Sequence, residues 1–245
     1  MFFLKAVASL ILCTTTLLSY MAVANEPYVI KAALSQEFKK GLHRQYLTYV
    51  AEQLGMEIQI TTMPFARRMM ELKKGNLDII VGVQYSTLRA EELTFIFPAY
   101  EKLSFRYFSL TQNTEKIKSN DDLVGKTIGV IRGAKYFPIF EQNTELQKYP
   151  FNNLKTNIDM LLLGRIDIFV HYEESTALML KTMKADHLIA KTNHQPKHSL
   201  EHYLAISKNS PLAAKTEQLE DIVERGISQQ VFIKRRLEHY QQNKP

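Results

Sequence analysis

LDIIVGVQYSTLR, residues 77–89, is the stretch on which the fold turns. Its first half is an apolar run of β-forming residues, short enough to read as a strand buried on both faces. The run stops at Gln84-Tyr85-Ser86-Thr87 and then delivers Arg89, so a buried strand opens onto a polar mouth holding a fixed positive charge. Upstream, PFARRMMELKK predicts a helix opened by Pro64 and ended by Gly75. Glu57 to Thr61 alternates as a strand, and Phe38, Leu42, Tyr46, Val50 and Leu54 recur every four residues on one stripe of a helix that Gly55 ends. Tyr28 to Leu34 reads as the first strand. Strand, helix, strand, helix, strand predicts an α/β fold with a mostly parallel sheet flanked by helices.

The pattern returns. ELKKGNLDIIV, Glu71 to Val81, is echoed by MLLLGRIDIFV, Met160 to Val170. Each has a helix end, a glycine suited to a left-handed cap, an aspartate and a buried strand, and each runs into a polar cluster, Gln84 to Arg89 or His171 to Thr176. The second half adds a strand at Lys126 to Ile131 and helices at Ala134 to Gln142 and Glu173 to Met183. Lys102 to Leu110 and His202 to Ser207 read as extended segments passing between two lobes. In the tail, Ser210 caps a helix with Pro211 first, whose inner face is Leu212, Leu219, Ile222 and Val223, and a last helix covers roughly Ser228 to Tyr240.

The first residues read as a secretory leader. Lys5 precedes an apolar core over Ala6 to Leu18, and Ala22-Val23-Ala24 is a small-x-small cleavage signal. Cleavage after Ala24 removes Cys13, the one cysteine, and Lys5, leaving an exported chain held together without disulfides. The formal charge of +6 is spread among acids without a basic stripe, which argues against a nucleic-acid partner. Gly125-Lys126-Thr127 lacks the earlier glycine of a phosphate loop and precedes its strand. His194, His198 and His202 are spaced as zinc ligands on a helix, but Pro196 breaks that helix, so no metal is expected.

In open α/β sheets, ligands bind beyond the carboxyl ends of the strands. Ser86-Thr87 can cap a short helix through Arg89-Ala90-Glu91-Glu92, so that a guanidinium and backbone N–H groups face one space. That combination suits a planar carboxylate. Spacing alone also allows Arg89 to pair with Glu91 or Glu92 at the surface.

ARRMMELKKGNLDIIVGVQYSTLRAEELTFIFPAY resembles the signature region of the bacterial family 3 extracellular solute-binding proteins, the periplasmic amino-acid receptors of ABC importers. Ser86-Thr87-Leu88-Arg89 fills the hydroxyl–arginine role and Phe97-Pro98-Ala99-Tyr100 the ending; NDDLVGKTIGVIRGAKYF resembles the opening of the second lobe, and GRIDIFVHYEE its last strand and binding loop. The resemblance implies a two-lobed, type II periplasmic binding protein with two crossing strands and hinge closure. Its lobes would be residues 25–110 with 203–245, and 111–202, after a leader over 1–24. Arg89 would grip the ligand carboxylate, with Ser86 and the Gln84-Tyr85 backbone adding hydrogen bonds and Phe65 forming an aromatic wall. Arg132-Gly133 would sit at a helix start, with His171, Tyr172 and Glu173 on the facing loop. Three departures stand out. Ala134 replaces a hydroxyl donor, Tyr172 replaces the acid that holds the amino group, leaving Glu173 as a substitute, and the loop after the first strand is cut to Ser35-Gln36-Glu37. The implied function is periplasmic capture of a small organic anion or amino acid, by a monomer without cofactor, for an ABC permease. A receptor serving a sensor protein and a cyclohexadienyl-dehydratase-like enzyme using His171, Tyr172 and Glu173 as acid–base groups are the alternatives.

Overall fold

The computed structural model describes residues 27–35 and 41–242. The leader over residues 1–24, Phe38, and Gln36-Glu37 of the shortened loop lie outside the described residues. The chain is an α/β protein of two halves sharing two long strands. In the first half, β1 (Ile30–Leu34), β2 (Ile58–Thr62) and β3 (Ile79–Val83) alternate with α1 (Leu42–Leu54) and α2 (Phe65–Lys74), and β1 pairs in parallel with both β2 and β3. A short α3 (Thr87–Glu92) leads into β4 (Leu93–Leu110). The second half holds β5 (Thr127–Ile131), α4 (Pro138–Gln142), β6 (Gln147–Phe151), α5 (Leu154–Leu162), β7 (Ile168–Tyr172), α6 (Glu173–Thr182) and β8 (Ile189–Lys191), with β5 parallel to β6 and β7. β9 (Ser199–Ser207) returns to the first half, followed by α7 (Thr216–Ser228) and α8 (Val231–Gln242).

β4 and β9 are the shared strands. Leu93 to Ile96 of β4 pairs antiparallel with β9 inside the first sheet, and Phe105 to Phe108 pairs antiparallel with β7 in the second. Between these regions the pairing shifts register at Ile96/Glu101, and Glu101 to Ser104 then meets His202 to Ser199. Each sheet is packed on both faces: one cluster joins α1, α7 and α8 to the first sheet around Tyr46, Val50, Leu219 and Phe232, and another sets Leu72 of α2 against Ile80 and Ala205. In the second half, Phe137 and Phe140 cover one face and Leu154, Ile158 and Leu180 the other. Full coverage explains why β3 and β7 read as unbroken apolar runs.

The repeated turn is the same device twice. Gly75 and Gly164 both take positive φ, 81° and 66°, which lets the chain leave a helix and enter a buried strand at once. The aspartate that follows ties this strand to its parallel neighbour. Asp78 accepts from the Lys31 N–H at 2.7 Å, and Asp167 accepts from the Thr127 N–H at 2.8 Å. Asp78 is the more deeply committed copy, 2% exposed, and also accepts from Tyr28 Oη at 2.5 Å and Ser210 Oγ at 2.6 Å.

Two predicted elements differ. The helix expected from Ala134 begins only at Pro138, because a residue before proline is pushed away from the helical region and Pro138 fits the first helical position. Ser210 caps as expected, accepting from the Leu212 N–H, but Pro211–Lys215 is a 3₁₀ turn ahead of α7.

Asp78→Ala removes the acceptor of three donors, among them the buried Ser210 hydroxyl, and is expected to lower unfolding stability by about 2–4 kcal/mol. Asp167→Ala, at an exposed site, is expected to cost about 1 kcal/mol or less. Urea unfolding of both variants checks the contrast; equal losses would remove the distinction between the two copies.

Candidate functional site

The carboxyl ends of parallel strands from both halves converge on one cavity of about 160 Å³. Leu34 and Ser35 reach it from the end of β1, Gln84 from β3, Ile131 from β5, and His171 and Tyr172 from β7. Glu101 and His202 line it from the crossing strands, Phe65 and Arg68 from α2, and Arg236 and Tyr240 from α8. This placement follows from the topology, since parallel strands in both sheets point their ends at the same gap.

Arg89 lies buried between the halves, 9% exposed. Ser86 caps α3 by accepting from the Arg89 N–H at 3.4 Å, and that cap aims the side chain inward. Its Nη1 donates to Gln84 O at 2.7 Å and lies 3.4 Å from Gln84 Oε1, while Nη2 donates to Gly133 O of the other half at 2.8 Å. Burial lowers the Arg89 pKa below its ordinary value, and no acid among the described residues forms an ion pair with it. The contact with its Oε1 orients the Gln84 amide with nitrogen toward Tyr172 Oη at 2.9 Å and His202 Nε2 at 3.1 Å. His202 Nε2 also lies 2.8 Å from Tyr172 Oη. With Nε2 accepting, the imidazole proton sits on Nδ1, which faces Glu101 Oε1 at 3.5 Å. Arg236 then holds Glu101 Oε2 at 2.8 Å and reaches Glu174 of the second half at 3.2 Å. One polar chain therefore runs from Arg89 through the crossing strands to α6.

The electrostatics separate cations from neutral groups. Burial pushes His43 and His171 down to about 4, so both are uncharged at neutral pH. Burial raises the Glu101 carboxyl, but the His202 contact and Arg236 outweigh it and hold Glu101 ionised. Burial pushes the Tyr172 phenol well up, keeping it a hydrogen-bond donor. Arg68 is brought down to about 10 by burial and stays charged. Its guanidinium stands 5.1 Å from the centre of the Phe65 ring, and that of Arg89 stands 5.8 Å from the same ring.

Several expected site residues are placed elsewhere than on the cavity wall. Phe65, Gln84, His171 and Tyr172 line it. Arg89 and Gly133 adjoin it as the bridge between the halves, and Ser86 serves as the cap. Gly133 is not at a helix start: it occupies a turn at φ 77°, five residues before α4, and an added Cβ would stand 3.3 Å from Ala66 of α2. The Arg132 side chain turns away to Pro150 O at 2.9 Å and Asn152 Oδ1 at 3.3 Å. Tyr85 is 48% exposed and packs on Phe95, Phe97 and Tyr203. Glu173 is drawn out of the cavity by Arg106 at 3.1 Å and Lys191 at 2.5 Å, so it does not replace the acid missing at Tyr172. The sequence reading missed Arg68, Glu101, His202 and Arg236. A signal existed for one of them: Arg68 lies three residues after Phe65 and four before the buried Leu72, on the inward stripe of α2.

The family described as bacterial extracellular solute-binding proteins, family 3, matches residues 21–231. Among curated relatives, the L-cystine-binding protein TcyJ of Escherichia coli K12 is 25% identical over 155 residues, 62% of this chain and 54% of that protein. The probable amino-acid-binding protein YxeM of Bacillus subtilis is 28% identical over 135 residues, 54% of this chain and 50% of that protein. The chain thus aligns with about half the length of the curated relatives it matches. Among solved structures, the amino acid ABC transporter substrate-binding protein AbpA from Streptococcus pneumoniae, bound to L-arginine, superposes with TM-score 0.75 at 15% identity, covering 88% of this chain and 95% of that one. A mutant of ArgBP from T. maritima gives TM-score 0.73 at 18% identity, covering 87% and 95%. These superpositions show a shared fold, the two-lobed type II architecture.

His43 packs against Gly82 and faces Glu101, Arg68, His202 and Arg236. Its folded pKa is depressed, so between pH 6.5 and about 4 the unfolded chain binds a proton that the folded protein excludes. Its contribution is therefore complete above that window, falls as pH drops through it, and changes no further below about 4. His43→Gln is expected to reduce the slope of unfolding free energy against pH by up to about 1.4 kcal/mol per unit within the window. Urea titrations at stepped pH measure it; identical slopes for variant and parent would mean the imidazole is charged in the fold.

Proposed function

This chain belongs to the bacterial extracellular solute-binding proteins, family 3, and from that premise we propose that it captures a small carboxylate-bearing, amino-acid-like solute between its halves and presents it to an ABC permease. The observation that carries this reading is the cavity at the strand ends, adjoined by a buried guanidinium at Arg89 that has no ion-pair partner among the described residues. A guest carboxylate supplies the missing charge, and Phe65 provides an apolar surface beside it. The protein performs no chemistry on the guest, and transport energy comes from the permease.

The same reading takes residues 25–110 with 203–245 as one lobe and 111–202 as the other. It places the protein in the periplasm as a monomer after cleavage at Ala24. Ser86 keeps Arg89 aimed, and Gln84 and Tyr172 present side-chain groups to the guest.

A thermal-shift screen of the chain from Asn25 onward against amino acids, mono- and dicarboxylates and polyamines tests it. A guest at a hundred times its dissociation constant is expected to add about 2.7 kcal/mol of stability. Arg89→Ala is expected to lose about 3–5 kcal/mol of binding free energy, and Phe65→Ala less. Unchanged titrations for Arg89→Ala, or a response to polyamines alone, would discard the carboxylate reading. Recovery of the bound guest unaltered after prolonged incubation separates capture from catalysis.

A further inference from the structure

Arg68 is a second buried cation without an ion-pair partner among the described residues. It lines the cavity and is 6% exposed, and its Nε and Nη1 are buried without a hydrogen-bond partner. Arg68 makes no ion pair among the described residues, whereas its exposed neighbour Arg67 reaches back to Glu71 at 2.7 Å. Of these two adjacent arginines, the exposed one is paired and the buried one is not.

The remaining charges on the wall do not compensate Arg68. Glu101 and Arg236 neutralise each other at 2.8 Å, and burial holds His43 and His171 uncharged. Arg89, bridged to carbonyl oxygens, also has no ion-pair partner among the described residues. Both guanidiniums stand near the one Phe65 ring, Arg68 on the cavity wall and Arg89 adjoining it, so one guest that fills the cavity against Phe65 would lie near both.

We propose that the guest carries two anionic groups, one for each of Arg68 and Arg89, so that the cleft selects short dicarboxylates, acidic amino acids included, over monocarboxylates and cationic amino acids. This rests on the carboxylate reading of Arg89 and deepens it. A monocarboxylate leaves one buried guanidinium unpaired, and a cationic amino acid adds a further positive charge to the cavity. The cavity of about 160 Å³ suits a compact guest, since roughly 150 Å³ accommodates benzene. Glu101, held ionised on the same wall, offers negative charge toward which an amino group can turn, so acidic amino acids fit alongside plain diacids.

Calorimetric titration of the wild-type protein and of Arg68→Met with glutarate, L-glutamate, L-alanine and L-arginine tests the inference. Wild type is expected to bind glutarate or L-glutamate roughly 100-fold more tightly than L-alanine, with no measurable heat from L-arginine. Arg68→Met should collapse that ratio to within about tenfold, and its guest-free form should melt no lower than wild type, because it removes an unpaired buried charge. Arg68→Lys, which keeps the charge without the fork, should retain part of the preference. L-alanine binding as tightly as L-glutamate, L-arginine binding tightest, or a ratio unchanged in Arg68→Met would overturn the second anchor and leave the first standing. Failure of wild type to bind any of the acids would overturn both.

Discussion

A guanidinium buried between two half-molecules, hydrogen-bonded among the described residues to carbonyl oxygens, is the interaction around which the cleft is built. Arg89 is drawn inward by the Ser86 cap, fixed by Gln84 O and fastened to Gly133 O across the gap. Carbonyl dipoles relieve part of the cost of burying a cation, but they carry no net charge, so the site stays electrostatically incomplete. Arg68 raises the same imbalance beside the same Phe65 ring, without even carbonyl partners for Nε and Nη1. A fold maximising its own stability would replace such residues with apolar ones of similar volume. On the proposed reading, these cations beside the cavity at the strand ends are what a guest's negative charge would answer.

How much of this was legible depended on the distance over which each signal acts. The turns at Gly75 and Gly164 were readable because a helix stop, an aspartate and an apolar run lie within a dozen residues, and the aspartates do tie each strand to its neighbour. The inward pose of Arg89 was partly readable, since its cap lies three residues away. Glu101, His202 and Arg236 were not, because they meet only when two crossing strands and the final helix come together. Glu173 failed as a candidate for the same reason in reverse: Arg106 and Lys191, distant in sequence, hold it outside. Gly133 was misplaced by a local error, a helix extended through the residues before Pro138.

The crossing strands do more than join the halves. Glu101 and His202 are partners in the ladder between β4 and β9, just beyond its register shift, so the groups that relay polarity across the cleft stand where the chain bends. Gln84 and Arg236 belong to the first half, Tyr172 and Glu174 to the second, and they meet around that pair. A rigid-body rotation about β4 and β9 would separate Gln84 from Tyr172, Arg236 from Glu174 and Arg89 from Gly133, while leaving each sheet intact.

Those direct contacts are few. Hydrogen bonds from Arg89 to Gly133 and from Gln84 to Tyr172 contribute about 0.5–3 kcal/mol each, and Arg236–Glu174 is partly exposed and worth less. Against them stand two desolvated guanidiniums whose burial is least favourable when the gap is shut and empty. The two terms are of similar size, so closure without a guest is finely balanced. A ligand shifts such an equilibrium only by its differential affinity for the closed form. Negative charge placed between the halves provides that difference, because it removes the penalty which opposes closing. Under the proposed reading, affinity and closure would share one electrostatic origin, since the cations that make the empty site costly are the ones a guest's charge would compensate.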